Sequence, residues 1–346
     1  MNQAMRLQFL PLWSWRAWLG LAIAIAVVLV IGVAIFPWPT TGPPKAGGIE
    51  EVRLRSGADI PVAIATARDG TVWFTLESSD SLGRLRNGQV ERIPRGAASI
   101  EPLGLAVGGD GSAWYTDAPK QRIARASPDG GIAFFGLATP IARLGRLAVA
   151  PDDAVWFAES TVASVTRLHD GRFTRHVVAT LAPRIPADAW PFGIAIAPDG
   201  AVWATLPSVN QLLRIAPDGK GTAFDVPTRQ SGLGDIAVAP DGTVYFLEMS
   251  ANKIGRLAGE RFEEFTVPMA GAGLTALAVA PDGAAWFTEL RSHRLARLHG
   301  GRITEFDLPR PDARPFGITV DAENNVWYAD LSGWLGRLDA SHARVR

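Results

Sequence analysis

An all-β, seven-bladed β-propeller is predicted by three features of this 346-residue chain. First, aromatic residues recur at near-constant spacing: Trp73, Trp114, Trp156, Trp203, Tyr245, Trp286 and Trp327, with gaps of 41, 42, 47, 42, 41 and 41 residues. A period of roughly 40–45 residues with strand-like sequence in each unit marks a propeller blade, and seven such units surround a central channel. Second, every unit repeats one order of strands and turns. Third, the outer strand missing from the last unit is found at the start of the domain.

The sixth unit, Thr275 to Pro309, shows the order most clearly. Leu277 to Ala280 is the apolar inner strand, as strands buried on both faces are. Pro281-Asp282-Gly283 is a turn, Pro presetting φ and Gly accepting a positive one. Ala285 to Thr288 is the second strand and Leu295 to Leu298 the third. After the turn His299-Gly300-Gly301, Ile303 to Leu308 is the outer strand. The last unit ends soon after its third strand, near Leu335–Leu338. Ile49-Glu50-Glu51-Val52-Arg53-Leu54 resembles Ile303-Thr304-Glu305-Phe306-Asp307-Leu308, and each precedes a Pro (Pro61, Pro315) by seven residues. Residues 49–55 are therefore expected to close the ring on the last blade, removing its exposed edges.

Ahead of the propeller (49–346) lie a tail (1–17), an apolar run (18–36) and a Pro/Gly-rich linker (37–48). The run WLGLAIAIAVVLVIGVAIF has nineteen uncharged residues. At helical rise it spans about 28 Å, close to the ~30 Å hydrocarbon core. Arg6 and Arg16 precede it without an acid, which predicts a cytoplasmic N-terminus and a periplasmic or extracellular ring on a single-pass anchor in the cell membrane. A cleaved signal peptide is the alternative, with a shorter apolar region as its usual mark. Formal net charge is zero, so no broad basic field for nucleic acid is implied. Cysteine is absent, which excludes disulfides and thiolate metal sites.

Sevenfold repetition supplies an internal control. A residue present in every unit reads as scaffold, and one that breaks the pattern as a candidate for function. The aromatic series is scaffold by this test. So is the arginine eleven residues later (Arg84, Arg125, Arg167, Arg214, Arg256, Arg297; Arg337 after ten), expected to make blade-to-blade hydrogen bonds or cation–π contacts. Acids follow the aromatic by three residues in five units: Asp117, Glu159, Glu248, Glu289 and Asp330. They sit where the second strand meets a loop on the face shared with the blade connections. Two readings are open for them: converging carboxylates for Mg²⁺ or Ca²⁺, or solvated loop ends that cap amides. Of the five histidines, only His293 lies in a loop on that face. The 47-residue gap places an insertion at Ala179–Trp190, where Arg184, Asp188 and Trp190 offer a lid or pocket wall, or a plain surface loop.

Arg314–Leu338 (RPFGITVDAENNVWYADLSGWLGRL) and Asp241–Leu257 (DGTVYFLEMSANKIGRL) resemble the virginiamycin B lyase family, whose repeat reads P-x-G-I…D-G-x-V-W-F-T-E-x-x-x-N-x-I-G-R-I in a seven-bladed propeller. The resemblance covers the whole ring and implies a Mg²⁺-assisted C–O lyase that opens a streptogramin B lactone by elimination. It implies histidines in P-H-G or P-H-A signatures on two neighbouring blades, with nearby glutamates. Here Phe316 and Val62 stand at those places, and Pro102-Leu103-Gly104 and Pro191-Phe192-Gly193 lack histidine too. Glu77 matches one family glutamate. Candidate catalytic residues are therefore Glu77 and His293. Candidate binding residues are Trp190, Phe192, Arg184, Asp188, Phe316, Arg314, Glu248, Asn252 and Glu289. Two functions stay open: a lyase-like enzyme aided by Mg²⁺, and a non-catalytic propeller that binds a small molecule or protein on an apolar-aromatic face. A six-bladed Ca²⁺-dependent lactonase fits the sevenfold count less well.

Overall fold

A computed structural model describes residues 34–36, 48–54, 59–77, 79–95, 102–138 and 143–343. The expected tail, residues 18–33 of the apolar run and residues 37–47 of the linker lie outside the described residues. Within them are seven antiparallel sheets, one per aromatic repeat. Six have their four strands in sequence order, as in the sixth blade, Leu274–Val279, Ala285–Glu289, Arg294–His299 and Arg302–Asp307. Each inner strand packs on the inner strand of the next blade, the seventh (Pro315–Val320) on the first (Ile60–Thr66), so the ring is closed.

The seventh sheet takes its outer strand from the other end of the domain, as expected. Ile49–Arg53 pairs antiparallel with Trp334–Leu338, from Ile49 opposite Leu338 to Arg53 opposite Trp334. Its Glu51 is fully buried and accepts from the Tyr328 hydroxyl at 2.6 Å and from Arg310 Nε at 2.8 Å. Arg310 comes from the linker between blades six and seven and also binds Asp330 at 2.6 Å. An ion triad thus fastens the closing strand to both its own sheet and the incoming linker.

The turn between inner and second strands explains its recurring Asp. The side chains of Asp69, Asp110, Asp152, Asp199, Asp241, Asp282 and Asp321 each accept the amide two residues on, at 2.9–3.1 Å, and Asp321 also accepts the Asn325 amide at 2.8 Å. Such Asx turns set the strand reversal locally. Packing between blades then falls into seven hydrophobic clusters, each joining one blade to the next. The aromatic series sits in them: Trp73 meets Ala113 and Tyr115, and Trp286 meets Ile318 and Tyr328. Fully burying such a ring is worth at least about 2–3 kcal/mol, so the repeat spacing is a packing requirement.

The arginine row differs in part from expectation. Arg84, Arg125, Arg167, Arg297 and Arg337 lie over the aromatic of their own blade at 5.2–6.0 Å, because the two are cross-strand partners. Arg256 instead lies over Phe265. Arg125, Arg167, Arg214 and Arg297 pair with the turn Asp of the same blade. Of this row Arg84 crosses between blades, to the Pro128 carbonyl. Threonine does more of the stitching: Thr75, Thr205 and Thr288 donate to a carbonyl of the following blade at 2.8–2.9 Å.

At the N-terminus, Ala34–Phe36 is a strand paired with the outer strand of blade one, Gln89–Pro94. The last three residues of the expected anchor are therefore extended chain, not helix. An unpaired outer strand offers free amides and carbonyls, and a short apolar segment can take them. Among the described residues no helix is long and apolar enough to cross a membrane.

Candidate functional site

Linkers between blades and connections from second to third strands share one end of the ring, called here the upper face. The five acids three residues after the aromatic lie just beneath it. They are not solvated loop ends: Asp117, Glu159, Glu248, Glu289 and Asp330 are all at most 1% exposed. Each closes the second strand opposite the start of the third, and three are neutralised by a nearby arginine. Arg122 binds Asp117 at 2.6 Å, Arg175 binds Glu159 at 3.1 Å, and Arg310 holds Asp330.

Glu248 and Glu289 differ. Both oxygens of Glu248 lack a hydrogen bond, because the Ser231 hydroxyl beside it donates to Asn210 instead. Burial, and then the charge of Glu264, push its carboxyl up to about 7, against the pull of Lys253 and Ser231. Glu289 accepts from Ser292 at 2.5 Å through one oxygen and leaves the other unpaired. Burial raises it to about 7 as well, with Glu305 adding to the rise and Ser292 and Arg294 opposing it. These carboxylates do not converge. Among the described residues no three His, Asp or Glu side chains gather as a metal site, so the donor set does not fit a Mg²⁺ ion held by this chain alone.

His293 occupies a structural place. It takes a left-handed backbone, φ 59°, just before the third strand, where Asn210 and Asn252 do the same at 58° and 56°. Its Nδ1 lies 2.5 Å from the Ala313 carbonyl of the next linker. Asn252 holds its own linker fully: Nδ2 donates to Val267 and Met269 carbonyls, and Oδ1 accepts the Ala272 amide. Asn252 is thus committed through both amide atoms, whereas His293 is held through Nδ1 alone. Glu77 ends the second strand of the first blade, half-buried, while His293 belongs to the sixth, so the seventh blade separates the two candidates.

The inner strands begin at the upper face, and the position eleven residues before the aromatic is the place of the expected histidine. Around the ring it holds Val62, Leu103, Gly145, Phe192, Gly234, Thr275 and Phe316. None carries a titratable group. Phe316 is half-buried, and its carbonyl accepts from Thr275 and Thr288. Arg314 is exposed, with its amide on Asp330. At Gly234 the room for a side chain is taken by Met249, whose sulfur would lie 2.6 Å from an added Cβ.

One position further in, sequence reasoning missed a pair. The row reads Ala63, Gly104, Arg146, Gly193, Asp235, Ala276, Gly317. Five are small and two are charged, and the structure brings those two together. Arg146 meets Asp235 at 3.3 Å, donates to the Leu103 carbonyl at 3.3 Å and reaches the Thr275 carbonyl at 3.2 Å. Asp235 also accepts the Leu277 amide at 3.1 Å. A bar linking blades two, three, five and six therefore crosses the channel under the upper face. Comparing units at this position would have exposed it.

The insertion is not a free lid. Val178–Leu181 forms a short helix, and Val178, Ala182, Ile185 and Ala189 are buried against blades three and four. Leu181 lies so close to Gly221 that an added Cβ there would be 2.5 Å from its carbonyl oxygen. Arg184 and Asp188 are exposed, and the segment delivers Trp190 back to the upper face. There Trp190, Phe192, Leu103, Leu144 and Ala118 line a cavity of about 380 Å³ with Arg143, Gly145, Ser160 and Thr161. A larger hollow of about 860 Å³ opens at the opposite end, lined by Pro151, Pro198, Pro240, Pro281 and small residues of the tight turns.

A virginiamycin B lyase family model matches residues 47–338. A virginiamycin B lyase of Nocardia farcinica is 35% identical over 173 residues, half of this chain and 57% of that protein, so the similar stretch spans less than two thirds of the relative. Among solved structures, a catalytically inactive variant of virginiamycin B lyase from Staphylococcus aureus with quinupristin is similar at 26% identity and a TM-score of 0.77, over 84% of this chain and 98% of that one. A streptogramin B lyase structure is similar at 25% identity and a TM-score of 0.77, over 84% and 96%.

Proposed function

Since the chain belongs to the virginiamycin B lyase family, we propose that it is a ligand-binding member that has lost the streptogramin-opening chemistry, tethered to the cell membrane with its ring outside the cytoplasm. Eliminative ring opening needs a base for the acidic Cα proton, an electrophile on the ester carbonyl and an acid for the leaving oxygen. The observation that carries the proposal is the row Val62, Leu103, Gly145, Phe192, Gly234, Thr275 and Phe316. It lines the start of every inner strand with groups that cannot move a proton. His293 stands outside this row, in the sixth blade, with its Nδ1 held by the Ala313 carbonyl. No step is assigned to Mg²⁺, since no carboxylate cluster assembles for it among the described residues.

Tethering is supported by the uncharged run and the arginines before it. A helix ending at Val33 would be about 24 Å long, so the Ala34–Phe36 strand and a full span compete for three residues. Protease protection of the N-terminus in intact cells decides between an anchor and a trimmed leader.

A second reading, a lyase using a buried carboxyl, is favoured by one observation: Glu248 and Glu289 are each held at about 7 under the upper face. The test is to incubate the full chain in detergent with a streptogramin B, with and without Mg²⁺. The opened isomer is followed by chromatographic retention, because elimination leaves the mass unchanged. No opening agrees with the proposal. Turnover sinks it, and loss of that turnover in Glu289→Gln or Glu248→Gln would establish the second reading.

A further inference from the structure

We propose that the cavity between blades two, three and four is a binding site for a small aromatic carboxylate, with Arg143 as its anion anchor. This rests on the reading of the chain as a binding propeller and names the ligand class. Three observations carry it.

The cavity lies where sevenfold symmetry breaks. Trp190 is the last residue of the insertion, and Phe192 and Leu103 are the middle residues of two Pro-x-Gly signatures that lack histidine. The structure brings these together from three blades. An indole, a phenyl ring and two leucines give flat apolar walls, which favour an aromatic body. Trp190 remains 36% exposed, a large apolar surface left for a ligand to cover. The volume of about 380 Å³ lies at the small end of the range for ligand sites, roughly 300–1,000 Å³.

Charge completes the match. Arg143 lines the cavity, is exposed, and has no carboxylate partner among the described residues. The buried acids that end the second strands of blades two and three pair with other arginines, Asp117 with Arg122 and Glu159 with Arg175. Ser160 spends its hydroxyl proton on the Pro191 carbonyl. Thr161 accepts the Arg143 amide at 3.0 Å, which leaves its own hydroxyl hydrogen to donate. One guanidinium and one hydroxyl donor at the edge of an apolar slot suit a carboxylate, which accepts a paired hydrogen bond from arginine.

The test is calorimetric titration of the full chain in detergent with 2-naphthoate and indole-3-acetate, each beside its uncharged amide. Both acids are expected to bind, each at least about tenfold tighter than its amide. Arg143→Gln should weaken the acids about tenfold and leave the amides unchanged, while Trp190→Ala should weaken acids and amides alike by about tenfold. Unchanged melting temperatures in both variants show that the ring is intact. Equal affinity of acid and amide, unaltered acid binding in Arg143→Gln, or no heat from any probe at millimolar concentration overturns the proposal. Streptogramin turnover is read separately, so failure here leaves the wider binding reading distinguishable from failure of that reading itself.

Discussion

Removing the cation from the closing latch should loosen the ring more than any surface change. Arg310 is 11% exposed, and its two partners, Glu51 and Asp330, are fully buried. In Arg310→Met the chain stem survives, but two buried carboxylates lose their only strong counter-charge. Glu51 keeps the Tyr328 hydroxyl, and Asp330 keeps Ser332 and the Arg314 amide, so the carboxylates stay partly solvated by the protein. Breaking a buried pair from one side costs about 3–5 kcal/mol, most of it from the stranded charge. For a domain of this size that corresponds to a melting point lower by roughly 5–8 °C. Urea unfolding followed by tryptophan fluorescence measures it. Adding Glu51→Gln to Arg310→Met should recover about 1–3 kcal/mol, since the second change removes one stranded charge. A loss below about 1 kcal/mol, or a further loss in the double variant, would refute the view that this triad locks the ring.

The cross-channel bar should behave as a coupled pair: Arg146→Met and Asp235→Asn each cost about 2–4 kcal/mol, and the double variant costs less than their sum by about 1–3 kcal/mol in urea titrations. Stability should fall with rising pH because Glu248 and Glu289 sit at about 7 in the folded chain against 4.5 unfolded. Between those values the unfolded chain has released protons that the folded chain retains, so each group removes about 2–3 kcal/mol by pH 7, an upper bound. Melting curves from pH 4.5 to 8 should show this slope, and Glu248→Gln with Glu289→Gln should flatten it. His293→Asn should be tolerated within about 0.5 kcal/mol, since Asn holds the same place in blades four and five, whereas His293→Ala should cost about 1 kcal/mol of hydrogen bonding and left-handed turn. A thermal melt of the two variants checks both.

The ring was readable because its cause is local and repeated. Asx turns, aromatic packing and the displaced strand Ile49–Arg53 each leave a mark in every unit or in its absence. The acids after the aromatic were harder. A single residue separates a strand end from a loop, and that residue decides whether Glu248 is solvated or sealed. His293 misled for a related reason: a left-handed turn accepts Asn or His alike, and only the linker carbonyl it meets reveals the role. Arg146 and Asp235 stand 89 residues apart, and their meeting depends on the ring's diameter, yet their departure from a row of Ala and Gly was visible. The Trp190 cavity was half legible. Its aromatic walls were picked out, whereas Arg143 and Thr161 carry no repeat signal and enter only through folding.

Deuterium wash-in tests most directly whether the chemistry was lost with the histidines of the inner-strand row. The full chain and a streptogramin B are held in D₂O across pH 6–8, with and without Mg²⁺, and the recovered substrate is weighed by mass spectrometry. The rows of Val, Leu, Gly, Phe and Thr described above predict label at the ester Cα no faster than in buffer. Protein-dependent labelling, even without ring opening, would contradict them.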